Sequence, residues 1–320
     1  MSYGVSPVFS SRPAALLLAI ALDALLGEPP TSLHPVGWLG RLVRAVERRA
    51  PEEAASRRRF GIVGALAFPM LAAASWLPFA WMLRRRRIAS VIAEAVVLDT
   101  TFALRTLLAR ADEVRVALER DDLVEARRLL RYHLVSRAVD DLTASEVAGA
   151  AIESVAENLS DGVVAPWLAY ASTGVPGALA YRAVNTLDAI WGYRTPPYTD
   201  LGWAGARLDD LANWVPARVT ALAIIGASAL VDADARGAAE AWRRDGGSTE
   251  SPNAGQPMAA MAGALGVVLA KRGAYALGAG REPEATDVAR SITVARTAAG
   301  LVAGVLVTSM LARAVGECRR

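Results

Sequence analysis

Phe60 to Leu83 run for 24 residues without a charge, with Arg57, Arg58 and Arg59 before them and Arg84 to Arg87 after them. About 20 apolar residues, each rising about 1.5 Å along a helix, cross the hydrocarbon of a bilayer. This stretch therefore commits the chain to a membrane. A spanning segment must satisfy its own backbone hydrogen bonds, so it is a helix, and it tolerates Pro69 and Pro78 as membrane helices do. Arginine at both ends leaves its orientation open.

Other apolar stretches repeat the signal less cleanly. Thr297 to Ala312 is uncharged and reads as a further span, as does Val215 to Val231, and Met258 to Ala270 reads as an apolar helix. Val163 to Tyr181 is uncharged but interrupted by Pro166 and by Gly174-Val-Pro176-Gly177, which gives one kinked span or two half-helices. Pro13 to Gly27 reads as a short helix retained in the membrane. Asp23 stands inside what would be the apolar core of a signal peptide, and no small-x-small cleavage site precedes Glu28-Pro29-Pro30. A carboxylate near bilayer depth costs about 3 kcal/mol, so Asp23 is expected to be paired or to line a polar cavity.

Ile88 to Leu104 carries Glu94 and Asp99 and is expected to pack inside the protein or along its surface. From 105 to 137, apolar residues recur at helical spacing among many charges, which predicts amphipathic helices outside the membrane with a turn at Arg120-Asp121-Asp122. The class expected is all-α: a polytopic integral membrane helical bundle with amphipathic extramembrane helices. Residues 1–320 would form a single integral membrane domain with an extramembrane helical insertion at about 105–160. A hydrophobic share of 53% agrees with this.

Composition removes several classes of function. The net charge of +3 is small and the bases cluster beside apolar segments, so no nucleic acid is expected. Cys318 is the only cysteine, which excludes an intramolecular disulfide and a multi-cysteine metal site. Lys271 is the only lysine and no Gly-Lys-[Ser/Thr] occurs, so any nucleotide must be held by arginine, backbone amides and metal.

Between Arg137 and Arg182 the charge becomes one-sided. Asp140, Asp141, Glu146, Glu153, Glu157 and Asp161 occur there without Lys or Arg. On a straight helix at 100° per residue, Glu146, Glu153, Glu157 and Asp161 would project within roughly 80° of one another. Such stacked carboxylates repel by a few tenths of a kcal/mol per i,i+4 pair unless a cation sits among them. A solvated acidic face is one reading. Flanking Ala, Val and Ile favour a second, a Mg²⁺-type site of hard oxygen ligands shared with a substrate phosphate. Asp140 and Asp141 read as helix-start acids, and Glu146 belongs to either group.

Further polar clusters follow. Arg182, Asn185 and Asp188 recur at steps of three and can share one helix edge. Arg207, Asp209, Asp210, Asn213 and Arg218 gather at the mouth of an apolar segment. The turn Ser251-Pro252-Asn253-Ala254-Gly255 feeds a helix N-terminus, where free N–H groups and the helix dipole can hold an anion. His34 lies in the turn-rich loop from Gly27 to Gly37. Each cluster alone is what a helix cap looks like; together they point to a shared site.

Taken together, the motifs resemble the membrane protein family of cobalamin (vitamin B12) biosynthesis known as CobD or CbiB, which makes adenosylcobinamide phosphate. The resemblance rests on Asp23 with Gly27 and Pro29, His34-Pro35-Val36-Gly37, Glu153-Ser154-x-x-Glu157-Asn158-x-x-Asp161-Gly162, Tyr181-Arg182-Ala-Val-Asn185-Thr-Leu-Asp188, Ala206-Arg207-Leu-Asp209-Asp210, Pro216-Ala-Arg218 and Ser251-Pro-Asn-Ala-Gly255. Glu28, Leu159 and Thr249-Glu250 depart from the family pattern.

The resemblance implies an ATP-dependent amide ligase of the cell (inner) membrane, using Mg²⁺, that joins adenosylcobyric acid to aminopropanol or aminopropanol O-phosphate through an acyl phosphate. It implies the lipid bilayer as a partner and leaves room for soluble B12-biosynthesis enzymes and a second copy of the chain. For that chemistry, residue type assigns Glu153, Glu157 and Asp161 to the metal and Asn158 to orienting a substrate group. Arg182, Arg207 and Arg218 would neutralise phosphates, and Asp209 or Asp210 would take a proton from the attacking ammonium. Asp23, His34, Asn185, Asp188, Asn213, Ser251, Asn253 and Gly255 complete the expected substrate and phosphate site. A transporter or binding protein for a corrinoid or other anionic ligand, with acids lining a membrane cavity, is the alternative.

Overall fold

The structure is a computed structural model that describes residues 11–28, 34–136, 138–193 and 195–318. Pro29, Pro30, Arg137 and Arg194 lie outside the described residues. In chain order the helices are α1 (Arg12–Leu26), α2 (Pro35–Glu47), α3 (Ala54–Ala74), α4 (Leu77–Leu83), α5 (Arg87–Asp99), α6 (Leu104–Glu119), α7 (Leu123–His133) and α8 (Ala144–Leu159). A π-turn, Ser160–Val164, leads to α9 (Ala165–Thr173), α10 (Val175–Trp191), α11 (Tyr198–Leu201), α12 (Trp203–Ala212), α13 (Trp214–Ser228), α14 (Ala235–Asp245) and α15 (Gly255–Leu265). An antiparallel ribbon, β1 (Leu269–Lys271) with β2 (Tyr275–Leu277), precedes the long α16 (Ala285–Cys318). Apart from that ribbon, the described residues form an all-α fold.

Among the described residues, two helical stretches are long and apolar enough to cross a membrane, Ala54–Leu83 and Ala285–Gly316, and a third exists if Trp203–Ala212 and Trp214–Ser228 form one bent span. The first contains the charge-free run from Phe60. Other apolar segments do not reach that length. Helix α1 has 15 residues, short of the roughly 20 that cross a bilayer. The stretch from Val163 to Tyr181 is divided between α9 and α10, because Gly174 between them sits at φ 78°, where a helix cannot continue. Helix α15 ends at Leu265 and every one of its residues is buried, so its apolar character serves a protein interior.

The chain divides into two compact units. The first comprises 1–103, 166–211 and 303–320. There α1 packs on α5, while α10 packs on α2 and α3. Val43, Ala65, Phe68, Leu187, Trp191 and Leu201 form its core. Phe68 meets Trp191 edge to face, with ring centroids 5.9 Å apart. Glu47 of α2 accepts hydrogen bonds from Trp191 Nε1 at 3.2 Å and from the Tyr198 hydroxyl at 2.9 Å. Gly61 lets α3 lie against the backbone of Leu201, where a Cβ would stand 2.0 Å from the carbonyl oxygen.

The second unit comprises 104–165 and 212–302. Helices α6 and α7 form the amphipathic pair expected from the sequence, joined where Asp121 takes φ 56°. Helix α15 is surrounded by α8, α13 and α14. Its closest crossing is with α14, where Gly237 and Gly263 face each other backbone to backbone. Asp287, fully buried at the start of α16, accepts from both Arg281 and Arg290, which satisfies a buried charge through paired cations.

Candidate functional site

The expected residues fall into two sets, one in each unit. The second unit carries Glu153, Glu157, Asn158 and Asp161 on α8 and its π-turn, Asn213 and Arg218 around the start of α13, and Ser251, Asn253 and Gly255 before α15. The π-turn packs against α13, and α13 packs against α15. All three motif-bearing elements thus meet within that unit.

Helix α8 begins with a capping box: Glu146 N–H donates to Thr143 Oγ1, and Thr143 N–H donates to the Glu146 carboxylate. Arg272, from the β-ribbon turn, completes the arrangement by bonding both Glu146 and Asp141. The cation demanded by this end of the acidic stretch is an arginine of the protein itself. Arg272 holds the Glu146 carboxyl well down, at about 2, helped by the Thr143 backbone N–H.

Further along, Glu153 and Glu157 stand one turn apart on α8, and the regular helix ends before Asp161. Glu153 is buried and Glu157 is exposed. At Ser160 the helix widens into i→i+5 bonding, with Ala165 N–H reaching Ser160 O, so the equal 100° steps of an α-helix stop there. Asn158 is held by its own helix: its Nδ2 donates to Ser154 O at 2.9 Å and to Ser154 Oγ at 3.1 Å. Ser154 Oγ in turn donates to Leu134 O, tying α8 to the end of α7.

Mg²⁺ takes oxygen ligands and typically uses one or two carboxylates beside substrate phosphates and water. The oxygens of Glu153, Glu157, Asp161 and Asn158 match it in kind. Among the described residues, no three His, Cys, Asp or Glu side chains gather as a metal site by themselves. The donor set fits a cation that arrives with phosphate and does not form a protein-only cage.

Arg218 and Asn253, far apart in sequence, are brought together. The guanidinium lies 4.2 Å over the Trp214 ring, and its NH1 donates to Trp214 O at 2.8 Å and to Asn253 Oδ1 at 3.4 Å. The turn before α15 is rigid and largely self-satisfied. Gly255 N–H donates to Thr249 Oγ1, Thr249 Oγ1–H donates to Ser251 O, and Gln256 N–H donates to Asn253 O. Gln256 also accepts from Trp242 Nε1 and donates to Gly246 O. Two N–H groups expected to be open to an anion are therefore taken. Thr249 and Gln256 are not among the site residues expected from the sequence; a threonine two positions before Ser251 is the signal that could have marked the first.

In the first unit, Asp23, His34, Arg182, Asn185, Asp188, Arg207, Asp209 and Asp210 appear. Asp23 is buried on α1. His34 caps α2: its Nδ1 accepts from Val36 N–H at 3.2 Å, which puts the neutral ring's proton on Nε2, 3.5 Å from Glu28 Oε1. Asp99, at the end of α5, joins this group. Its own burial, then the Asp23 and Glu28 carboxylates, push its carboxyl up to about 6, with His34 pulling the other way. An acid inside an otherwise apolar helix is the signal that marks Asp99 in the sequence, although its partners are not legible there.

On α10, Arg182 NH1 donates to Asn185 Oδ1 at 3.0 Å, so the stepwise spacing does pair base and amide. Arg182 Nε is buried and meets no acceptor among the described residues. Arg207 on α12 is exposed, with Asp209 and Asp210 half-buried beside it.

The sequence profile described as CobD/Cbib protein matches residues 16–302. The chain is 40% identical over 268 residues to the probable cobalamin biosynthesis protein CobD of Methanothermobacter thermautotrophicus, covering 84% of this chain and 87% of that one. It is 42% identical over 263 residues to the cobalamin biosynthesis protein CobD of Geobacter metallireducens, covering 82% of each. With the protein of the same description from Mycobacterium tuberculosis H37Rv it shares 38% identity over 297 residues, 90% of this chain and 92% of the relative. No solved structure matches.

Proposed function

The chain belongs to the CobD/CbiB family of cobalamin biosynthesis, and on that premise we propose that it is an ATP-dependent amide ligase of the cell membrane. The substrates are adenosylcobyric acid and aminopropanol or its O-phosphate. The observation that carries the reading is the meeting, within one unit, of the acids around the π-turn with α13 and the turn before α15, so that Arg218 and Asn253 stand on elements joined to the acidic one.

The reaction needs a carboxylate oxygen of the corrinoid to attack the terminal phosphorus of ATP, with ADP leaving. The amine nitrogen then attacks the acyl carbon, phosphate leaves and the amide bond forms. Such phosphoryl transfer depends on positioning and charge neutralisation more than on covalent help from the protein. Mg²⁺ supplies that neutralisation when bound, and Glu153, Glu157 and Asp161 are the residues that would hold it. Asn158 orients a substrate group, and Arg218 balances phosphate charge. Ser251, Asn253 and Gly255 keep the phosphate-side turn in one shape. The ammonium must lose a proton before it attacks, and a carboxylate at the site is the group suited to take it.

A transporter or binding protein for an anionic ligand is the competing reading, favoured by the buried Asp23 and the acids grouped with His34 and Asp99. One assay separates the two. Purified protein in detergent receives ATP, Mg²⁺, adenosylcobyric acid and aminopropanol phosphate, and the amide is followed by mass spectrometry. Amide formation that requires ATP is expected. Well-folded protein that makes no amide, yet carries corrinoid into proteoliposomes without ATP turnover, would replace ligation with transport.

A further inference from the structure

The first unit contains a cavity of about 250 Å³ between α2, α3, the turn after α5 and α10. Leu39, Phe68, Leu71 and Leu179 give it apolar walls. Three hydroxyls reach it, but each is already donated to a backbone carbonyl: Ser75 to Ala72 O, Thr100 to Val97 O and Thr101 to Leu98 O, all at 2.7 Å. Arg182 is the lining group with something left to give. Its NH1 is fixed by Asn185, and its buried Nε lacks an acceptor among the described residues. The half-buried guanidinium is the one charged group among the residues lining the cavity, so the cavity is matched to a ligand with one anionic oxygen and an apolar body.

Size narrows the ligand further. Sites for small molecules usually measure about 300–1,000 Å³, and this one lies just below, with room for one chain or one ring and not for a corrinoid macrocycle. A nucleotide triphosphate would bring several charges to a single donor. The way in also points to one source. Leu42 and Leu71 line the cavity yet are 50% and 64% exposed, and Leu71 lies on the Ala54–Leu83 span beside the exposed Leu66 and Met70. The cavity thus opens on a face that lipid would cover.

We propose that this cavity binds one anionic amphiphile from the bilayer, with its acyl chain against Leu39, Phe68, Leu71 and Leu179 and its carboxylate or phosphate oxygen paired with the Arg182 guanidinium. Arg182 then serves a lipid anion in place of the nucleotide phosphate expected from its sequence neighbours. The site is independent of the ligase reading, and its readout is occupancy, not turnover.

The test uses the full chain in phosphatidylcholine nanodiscs, given one of three diazirine-tagged probes of equal chain length: a fatty acid, a lysophosphatidic acid or an uncharged fatty alcohol. Crosslinked peptides are mapped by mass spectrometry. At least one anionic probe is expected to label the α2, α3 and α10 peptides roughly tenfold more than the alcohol, as a charge-assisted hydrogen bond implies. The stronger of the two identifies the headgroup. Arg182→Gln should equalise anion and alcohol, while Leu179→Trp, filling the cavity, should abolish labelling by both. If Leu179→Trp aggregates on size-exclusion, Ala72→Phe replaces it. Equal labelling by alcohol and anions in the unmodified protein means plain partitioning and overturns the proposal. So does labelling unchanged by Arg182→Gln, or displacement of the fatty acid by excess inorganic phosphate.

Discussion

Asp99 and Glu146 are both helix carboxylates, yet their surroundings drive them in opposite directions. Glu146 is held at about 2 by Arg272 and the Thr143 N–H. Its ionised form is favoured by folding, so its contribution is present above about 4.5 and is lost as pH falls toward 2. Both partners are partly exposed, which limits that contribution to about 1 kcal/mol or less. Asp99, pushed up to about 6 by burial and neighbouring acids, is favoured by folding in its protonated form; stability is lost as pH rises from 3.8 through about 6. Thermal unfolding in detergent across pH should show both slopes. Arg272→Gln removes the acid one, and Asp99→Asn removes the other while raising the melting temperature at neutral pH; unaltered slopes would remove these assignments. The acids of the site respond differently. Glu153→Gln is expected to cut amide formation by roughly a hundredfold or more while expression is retained, as loss of a charge-positioning group does. Exposed Glu157 offers the contrast, since Glu157→Gln should lose activity with no change in melting temperature, and an unaffected rate would take it out of the metal set.

At the scale of elements, close approach and capping decide how the second unit is built. A Cβ on Gly263 would stand 2.2 Å from Gly237 O. Gly263→Val should therefore force α14 and α15 apart at a cost of about 1–3 kcal/mol or more, read as a lower melting temperature together with loss of the Arg218–Asn253 turn's protection in hydrogen exchange. The α8 capping box makes a smaller claim. Thr143→Ala should cost about 1 kcal/mol, and Thr143→Ser should restore most of it. Some of these devices are legible in the sequence and some are not. Thr143-x-x-Glu146 is a local signature, and Gly174-Val-Pro176 marks a helix break, because each depends on neighbours within one turn. The π-turn carries no such mark. Ser160–Val164 packs against α13, and its wider bonding changes the helical phase for the residues that follow.

For the whole molecule, hydropathy identifies apolar helices but not what surrounds them. On a Cys318→Ser background, single cysteines at Leu66 and Leu71 should be shielded from water-soluble maleimide in membranes and react once lipid is replaced by detergent and mild denaturant. A cysteine at Ala260 on α15 should stay protected until the unit unfolds, since α15 is enclosed by protein. Reaction of Ala260→Cys in folded, detergent-solubilised protein would overturn that placement. The sequence by itself determined the all-α membrane class, a span at Phe60–Leu83, the α6–α7 pair and the residues that mark the family, because charge-free length, helical spacing and short motifs are written in neighbouring positions. Only the tertiary structure decided that Arg272, 126 residues from Glu146, closes the start of the acidic stretch, that Asp99 joins Asp23 and His34, that Arg218 reaches Asn253, and that α15 is core and not span. Those outcomes depend on contacts between distant segments, and lipid and protein interior are alike in being apolar, so composition cannot tell one from the other.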